Sequence, residues 1–253
     1  MKIVTWNVNS IRVRLEQLTN WIKSTTPDVI ALQETKCEDD KFPIDAFTTL
    51  GYQVICSGQK TFNGVAILSR LPIIKHVESG YVIEHDHKRV LIGEVKDYLI
   101  VDVYVPNGQS VGSDKYQFKL EWLKELKILL QRLLQKNKKI IVLGDFNIAP
   151  ETIDHTSANF IRDEIMISDK ERQAFHEILD LGFCDSFRFF DKEPKKYTWW
   201  DYRIRAFEKN LGYRIDHILV SDVLKDQCKS CVIDTSLRGL EKPSDHAPVI
   251  LEL

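Results

Sequence analysis

Residues 140–147 read IIVLGDFN: four apolar residues, then a glycine, an acid, an aromatic and a carboxamide. The first half has the length and β-branched content of a buried strand, and Gly144 ends it. An acid and an amide therefore arrive together at a strand end. The arrangement recurs along the chain. Residues 2–6 (KIVTW) run into Asn7-Val8-Asn9, and residues 28–32 (DVIAL) into Gln33-Glu34-Thr35-Lys36. Residues 99–105 end in Tyr104-Val105-Pro106-Asn107, and Ser244-Asp245-His246 precedes a last apolar run at 247–253. One Asn or Asp after a strand is by itself a common turn residue. Five such clusters carry more weight, because strands aligned in two sheets would bring these ends to one rim.

Carboxylates, carboxamides and one His would meet there. Oxygen-rich donors of this kind suit a hard divalent cation, Mg2+ with Mn2+ as a substitute, and there is too little Cys or His for a zinc cage. Such a site fits phosphoryl chemistry: the cation neutralises phosphate charge while a carboxylate orients water.

Around these clusters the pattern predicts further strands at 52–56, 65–69, 90–95 and 215–220. Ile11, Leu15, Leu18 and Ile22 recur at helical spacing ahead of Pro27. Tyr116, Leu120, Leu123, Leu126, Leu130 and Leu133 form a longer helical stripe, with Asp114 as its expected N-cap and Lys136, Lys138 and Lys139 near its end. A further helix is expected over 170–181, closed by Gly182. No Ser/Gly-rich linker or repeat divides the chain, so one domain spanning 1–253 is expected. Many short strands and few helices, without regular βαβ alternation, predict two packed sheets covered by helices.

Composition sets limits. Of 253 residues 43% are hydrophobic and 28% charged, which excludes a disordered chain. The formal net charge of −2 is not that of a generally basic protein, so any nucleic-acid binding must come from a local patch. The five cysteines are scattered, with only Cys228 and Cys231 at CxxC spacing, which predicts reduced thiols and a cytoplasmic setting. Nothing approaches the apolar run of about 18 residues that a membrane span needs, and no secretory leader is visible.

One stretch, 187–214, is unusual. It interleaves Phe187, Phe189, Phe190, Tyr197, Trp199, Trp200, Tyr202, Phe207 and Tyr213 with eight basic residues, among them Lys195, Lys196 and Arg214. Basic side chains track phosphates and aromatic faces stack on bases or sugars. About half of these aromatics are expected in the core instead, given how often such rings are buried.

The motifs WNVN (6–9), LQETK (32–36), YVPNG (104–108), GDFN (144–147), YRIDHILVS (213–221) and SDHAPV (244–249) occur in the order found in exonuclease III and its abasic-endonuclease relatives. The chain resembles that family from residue 6 to residue 249. LQETK, GDFN and SDH are shared more loosely with deoxyribonuclease I, phosphoinositide phosphatases and sphingomyelinases. YVPNG, the WW segment and YRIDHILVS are closer to the DNA-repair branch.

The resemblance implies a four-layer α/β sandwich, with two mixed, mostly antiparallel sheets face to face and helices outside. It implies a Mg2+-dependent enzyme acting on double-stranded DNA, cutting 5′ to abasic sites and trimming 3′ ends; the absence of an obvious exposed apolar stripe predicts a monomer. It makes Glu34 the principal metal ligand, with Asn7, Asp145, Asn147, Asp245 and His246 at or near the metal. Asp145 would orient or deprotonate the attacking water, and Asn147 would hold that water or a transition-state oxygen. Tyr104 and Asn107 would bond the scissile phosphate. Asp216 would orient His246, which would donate to a phosphate oxygen. Trp199 and Tyr213 would wall a pocket for an extruded abasic sugar, and Lys195, Lys196 and Arg214 would face DNA.

Two positions depart from the family pattern. Asn9 stands where several relatives carry Asp, which weakens a second metal contact, and Tyr213 replaces a common Trp. The stretch 151–166 varies between branches and is expected over the substrate groove. Two readings compete with a repair nuclease: a phosphoinositide or sphingolipid phosphodiesterase, and an inactive DNA-binding relative. Against the first stands the lack of a membrane-facing surface or leader. Against the second stands the joint presence of Glu34, Asp145, Asn147, Asp216 and His246.

Overall fold

A computed structural model describes residues 1–76, 87–136, 138–156 and 164–253. Among them, two six-stranded sheets face one another. The first runs in the order β11-β12-β1-β2-β4-β3, and the second β5-β6-β7-β8-β10-β9. In chain order the strands are β1 (Lys2–Asn7), β2 (Val29–Gln33), β3 (Gln53–Ser57), β4 (Val65–Ser69), β5 (Ile73–His76) and β6 (Val90–Val95). Then come β7 (Tyr98–Tyr104), β8 (Ile140–Asp145), β9 (Phe183–Asp185), β10 (Asp216–Ser221), β11 (Ser230–Ile233) and β12 (Val249–Glu252). The helices are α1 (Ile11–Thr25), α2 (Ile44–Thr48), α3 (Asp114–Lys136), α4 (Asp169–Leu179) and α5 (Ser186–Phe190).

Strands buried on both faces explain the continuous apolar runs. Between the sheets, Ile3, Val29, Ala31 and Ile67 meet Leu91, Ile100, Ile141, Leu143 and Ile218. The outer face of the first sheet (Val4, Ile30, Leu32) is covered by Ile11, Leu18 and Trp21 of α1 and Phe47 of α2. The outer face of the second (Val101, Val103, Val142) is covered by Leu123, Leu126 and Leu130 of α3 and by Phe175 and Ile178 of α4. The expected four-layer sandwich is the observed one.

Both sheets are mixed: β1–β2 and β7–β8 run parallel, and their other neighbours antiparallel. Register brings the ends together. Asn7 pairs Gln33, Tyr104 pairs Asp145, and Asp145 pairs Asp216. Gly144 permits the β7–β8 contact: its φ is +145°, and a Cβ there would lie 1.9 Å from the Val103 carbonyl oxygen.

Three details differ from the sequence reading. Asp114 is the first residue of α3 rather than its cap; Ser113 Oγ accepts the Tyr116 N–H at 3.2 Å. Helix α4 is shorter than 170–181, starting one residue earlier at a Ser168–Glu171 capping box and ending at Leu179. The short strands β5, β9 and β11 were not anticipated; all three lie at sheet edges, where three or four residues suffice and periodicity is too brief to read.

Candidate active site

Both sheets deliver polar residues to the rim where β1, β2, β7 and β8 end and β10 begins. Asn7, the last residue of β1, is its hub. Asn7 Nδ2 donates to Glu34 Oε1 and to Asp145 Oδ2, both at 2.9 Å. Glu34 follows β2 with φ 50°, and its Oε1 also accepts from the Tyr104 hydroxyl at 2.8 Å. The Lys36 ammonium lies 2.8 Å from Glu34 Oε2 and donates to Asn9 Oδ1 at 2.5 Å. Arg89 stacks 4.5 Å from the centre of the Tyr104 ring and donates to the Tyr104 carbonyl.

From the opposite sheet come Asp145 and Asp216. Asp145 Oδ1 accepts the Asn147 N–H at 2.9 Å, which closes the GDFN turn with Asn147 at φ 50°. Asn147 Nδ2 donates to the Val105 carbonyl, and Asn107 Nδ2 donates to Asn147 Oδ1 at 3.1 Å. Asp216 holds His246 Nδ1 at 2.9 Å, leaving Nε2 3.8 Å from Asp145 Oδ2. Thr198 Oγ1 accepts the N–H groups of Ile215 and Asp216, which fixes where β10 starts.

Charge is crowded here. Burial, with the charges of Asp216 and Glu34, pushes the Asp145 carboxyl up to about 7 against the pull of His246. Burial works against a charge on His246, but Asp216 and Asp145 outweigh it and push the imidazole up to about 10. Burial would also raise Glu34, but Lys36 and the Asn7 amide hold it below its ordinary value. Burial and the neighbouring carboxylates Glu34 and Asp145 raise the Tyr104 hydroxyl well above normal, so it stays a proton donor. Ligand atoms of Glu34, Asp145 and His246 all lie within 4.8 Å of one another. A half-buried and a buried carboxylate in such a group, the latter with its proton affinity raised, form a pocket that favours a cation.

Asp245 sits beside this group. Its oxygens accept from Asn9 Nδ2 at 2.9 Å and Trp199 Nε1 at 3.0 Å. Asn9 therefore bridges Asp245 and Lys36, a place where an Asp would face another carboxylate.

Alongside, Trp199 is bridged to His246 on one side and Tyr213 on the other. The Trp199 and Tyr213 rings meet edge-on at 5.7 Å, in an apolar corner with Met166 and Ile215. His155 stacks on the far face of this row, 6.3 Å from Tyr213. Lys195 and Lys196 are exposed. Of the nine aromatics in 187–214, Phe187, Tyr197 and Trp200 are buried, whereas Phe189, Phe190 and Tyr202 are exposed. Residues 157–163 of the variable stretch 151–166 lie outside the described residues.

Arg214 requires a correction. It was expected to face DNA, but it is 1% exposed and its guanidinium binds Asp154 at 2.6 Å and Asp185 at 2.8 Å. A cation enclosed by two carboxylates has no face left for phosphate. Sequence reading assigned no role to Lys36, Thr198, Arg89 or Ile204. Lys36 lay inside the LQETK motif and could have been found there. The others had no sequence signal: Thr198 acts through one oxygen, and Ile204 stands out only by its φ of 56° at 61% exposure between exposed Arg203 and Arg205.

The profile of the Endonuclease/Exonuclease/phosphatase family matches residues 4–246. Exodeoxyribonuclease III of Haemophilus influenzae is 34% identical, over 100% of this chain and 99% of its own. The chain belongs to this family, in its exodeoxyribonuclease III group. The 3′–5′ exonuclease NExo of Neisseria meningitidis superposes with a TM-score of 0.94 at 40% identity, covering 100% of this chain and 99% of that one. An AP endonuclease from Archaeoglobus fulgidus superposes at 0.91 with 38% identity, covering 99% and 98%. The family's exonuclease and AP endonuclease members thus share this rim's scaffold almost equally.

Proposed function

We propose that the chain is a Mg2+-dependent DNA-repair phosphodiesterase that cuts the backbone 5′ to abasic sites and trims 3′ ends. The observation that carries this reading is the convergence of Asn7, Glu34, Tyr104, Asp145, Asn147, Asp216 and His246, from both sheets, on one half-enclosed rim. Relatives named for both reactions support the pair of activities.

Glu34 and Asp145, with Asn7 beside them, would hold the cation; their oxygen donors fit Mg2+ and accept Mn2+. When bound, the cation supplies charge neutralisation at the phosphate. Asp145 accepts the proton of the attacking water, and Asn147 orients that water through its amide. Protonated His246, held by Asp216, donates from Nε2 to a non-bridging phosphate oxygen. The Tyr104 hydroxyl and the Asn107 amide complete the donor set around the phosphorus, aimed where negative charge develops. Water enters opposite the departing 3′-oxygen, which takes up a proton from solvent water as it leaves, giving a 3′-hydroxyl and a 5′-phosphate.

The Trp199–Tyr213 corner fits an extruded sugar that carries no base, for which unstacking costs least. Lys195 and Lys196 fit the flanking phosphates. Ile204, apolar and exposed between two arginines, suits a wedge against a base step. The enzyme would act as a monomer. None of the five cysteines forms a disulfide, which supports a cytoplasmic setting; no described helix is long and apolar enough to cross a membrane.

The test is cleavage of a labelled duplex carrying one abasic analogue, beside an intact duplex with recessed 3′ ends, in Mg2+ and in EDTA. Metal-dependent incision 5′ to the lesion, or shortening of the recessed ends, is expected. A folded protein that cuts neither duplex but hydrolyses a phosphoinositide would overturn the assignment.

A further inference from the structure

Asn107 and Asn147 reach the rim from different loops, yet their backbone carbonyls share one donor. Lys119, near the start of α3, is completely buried. Its Nζ donates to the Asn147 carbonyl at 2.7 Å and the Asn107 carbonyl at 3.2 Å, and it pairs with Glu171 Oε1. An ammonium has three N–H donors, and these acceptors use all of them. Glu171 Oε1 also accepts the Met166 N–H at 3.0 Å, while Oε2 accepts from Ser168 N at 3.1 Å and Ser168 Oγ at 2.7 Å. One ion pair therefore ties together α3, the start of α4 and both amide-bearing loops.

Such a pair is a poor source of stability, because desolvation offsets most of its attraction and apolar side chains of similar volume often do as well. What apolar side chains cannot supply is a pair of oriented donors for those carbonyls. Asn147 has particular need of one. It is a non-glycine residue at φ 50°, a conformation that persists only where its surroundings enforce it. Its N–H, Nδ2 and Oδ1 are fixed by Asp145, the Val105 carbonyl and Asn107. The Lys119 contact on its carbonyl completes the restraint.

We infer that the Lys119–Glu171 pair is a positioning device that aims the Asn107 amide at the scissile phosphate and the Asn147 amide at the attacking water. The inference rests on the phosphodiesterase reading of the rim. Neither residue touches the reacting atoms, so loss of the pair should appear in turnover and leave DNA binding in place.

The experiment compares Lys119→Met, the double variant Lys119→Met/Glu171→Gln, and wild type on a recessed-3′-end duplex and the abasic duplex. Thermal midpoint, kcat and KM are read for each. Wild-type cleavage is scored first, so failure of the phosphodiesterase reading is seen separately. Lys119→Met should lower the thermal midpoint, because Glu171 is left buried and unpaired. The double variant should regain much of it. Its kcat should stay down on the order of tenfold to a hundredfold with KM within about twofold, since a misplaced group costs rate even at small displacement. A double variant with both stability and kcat restored overturns the inference. A second readout serves if stability is not regained. In an Asn107→Ala/Asn147→Ala background, Lys119→Met should cost little further kcat, because both amides it positions are gone. A full additional loss there also overturns it.

Discussion

His217 and His246 come from the same rim and are equally enclosed, at 0% and 3% exposure, yet they hold opposite charge states. His246 Nδ1 faces the Asp216 carboxylate and Nε2 looks toward Asp145, so the ring is cationic. His217 Nδ1 faces the Arg214 guanidinium at 2.9 Å and Nε2 meets the Ile148 carbonyl. Burial first, then the Arg214 charge, press His217 down to about 4. The neutral ring then donates from Nε2 and accepts at Nδ1. Burial alone does not decide what a histidine does; the sign of the nearest charge does. One cluster carries an ionised pair beside a half-open rim, poised for chemistry. The other is an Asp154–Arg214–Asp185 knot with a neutral ring against it, and every polar contact is made within the fold.

The comparison breaks most directly through Asp145. Asp145→Asn keeps shape and volume but removes the group proposed to take the water's proton. Expected is a loss of about 3–5 kcal/mol of transition-state stabilisation, a hundredfold to several-thousandfold in kcat. Affinity for the abasic duplex should change by less than about threefold. Single-turnover cleavage and gel-shift titration check this, and a parallel loss of affinity would contradict the assigned role. The same class of change in the other cluster should leave the chemistry alone and strike the fold. Arg214→Met leaves Asp154 and Asp185 in the interior without their shared cation, at a cost of about 3–5 kcal/mol on urea denaturation. Residual kcat, measured where the variant remains folded, should lie near wild type.

The sequence carried the first cluster far better than the second. WNVN, LQETK, YVPNG, GDFN and SDH each pair a strand-like run with polar residues at its end, so register alone gathers them. Nothing comparable marked the knot. Arg214 lay among surface lysines and aromatics and read as one more DNA contact. Its partner Asp154 is 60 positions away, in a three-residue 3-10 turn too short to show periodicity. Lys119 was hidden for a related reason: on a helix with an apolar stripe, a lysine reads as solvated, and only the two carbonyls and Glu171 above it show otherwise. The sandwich was legible because its central strands are buried on both faces.

A milder perturbation is pH. An unfolded His titrates near its ordinary 6.5, whereas folded His217 does so at about 4. Above 6.5 neither state binds this proton and the full stabilisation is present. Between 6.5 and 4 the unfolded chain takes a proton that the folded one refuses, and stability falls by about 3 kcal/mol in all. Asp145, pushed up to about 7 from an ordinary 3.8, works in the opposite direction over the whole of that range. The readout is therefore the difference between wild type and His217→Gln, whose amide can replace both ring contacts. That difference should shrink or reverse on acidification from 6.5 to 4. Asp154 follows the ordinary carboxylate rule at lower pH. Burial would raise it, but Arg214 and Arg188 hold it down to about 2, so its contribution is lost only as pH falls from near 4 to there. A stability difference that is flat from pH 7 to 4 would place a charged ring beside Arg214 and dissolve the contrast between the two histidines.

The smallest effect separates Arg214 from the cations near it in sequence. Lys195 is exposed, and Lys196 makes only a loose 4.0 Å approach to Asp191, so neither has much to contribute to the fold. Replacing both with Ala should move stability by less than about 0.5 kcal/mol. If they lie on phosphates, the same double variant should bind the abasic duplex more weakly at every sequence. The slope of log K against log salt should then become shallower by up to about two, roughly one for each lost contact. Cleavage at saturating DNA should be unchanged, since neither ammonium approaches the rim's donors. An unaltered salt slope would confine the DNA-facing surface to the Trp199–Tyr213 corner and the arginines flanking Ile204. The basic character of 187–214 would then divide differently, with Arg214 holding the fold and Arg203 and Arg205, rather than the lysines, holding the duplex.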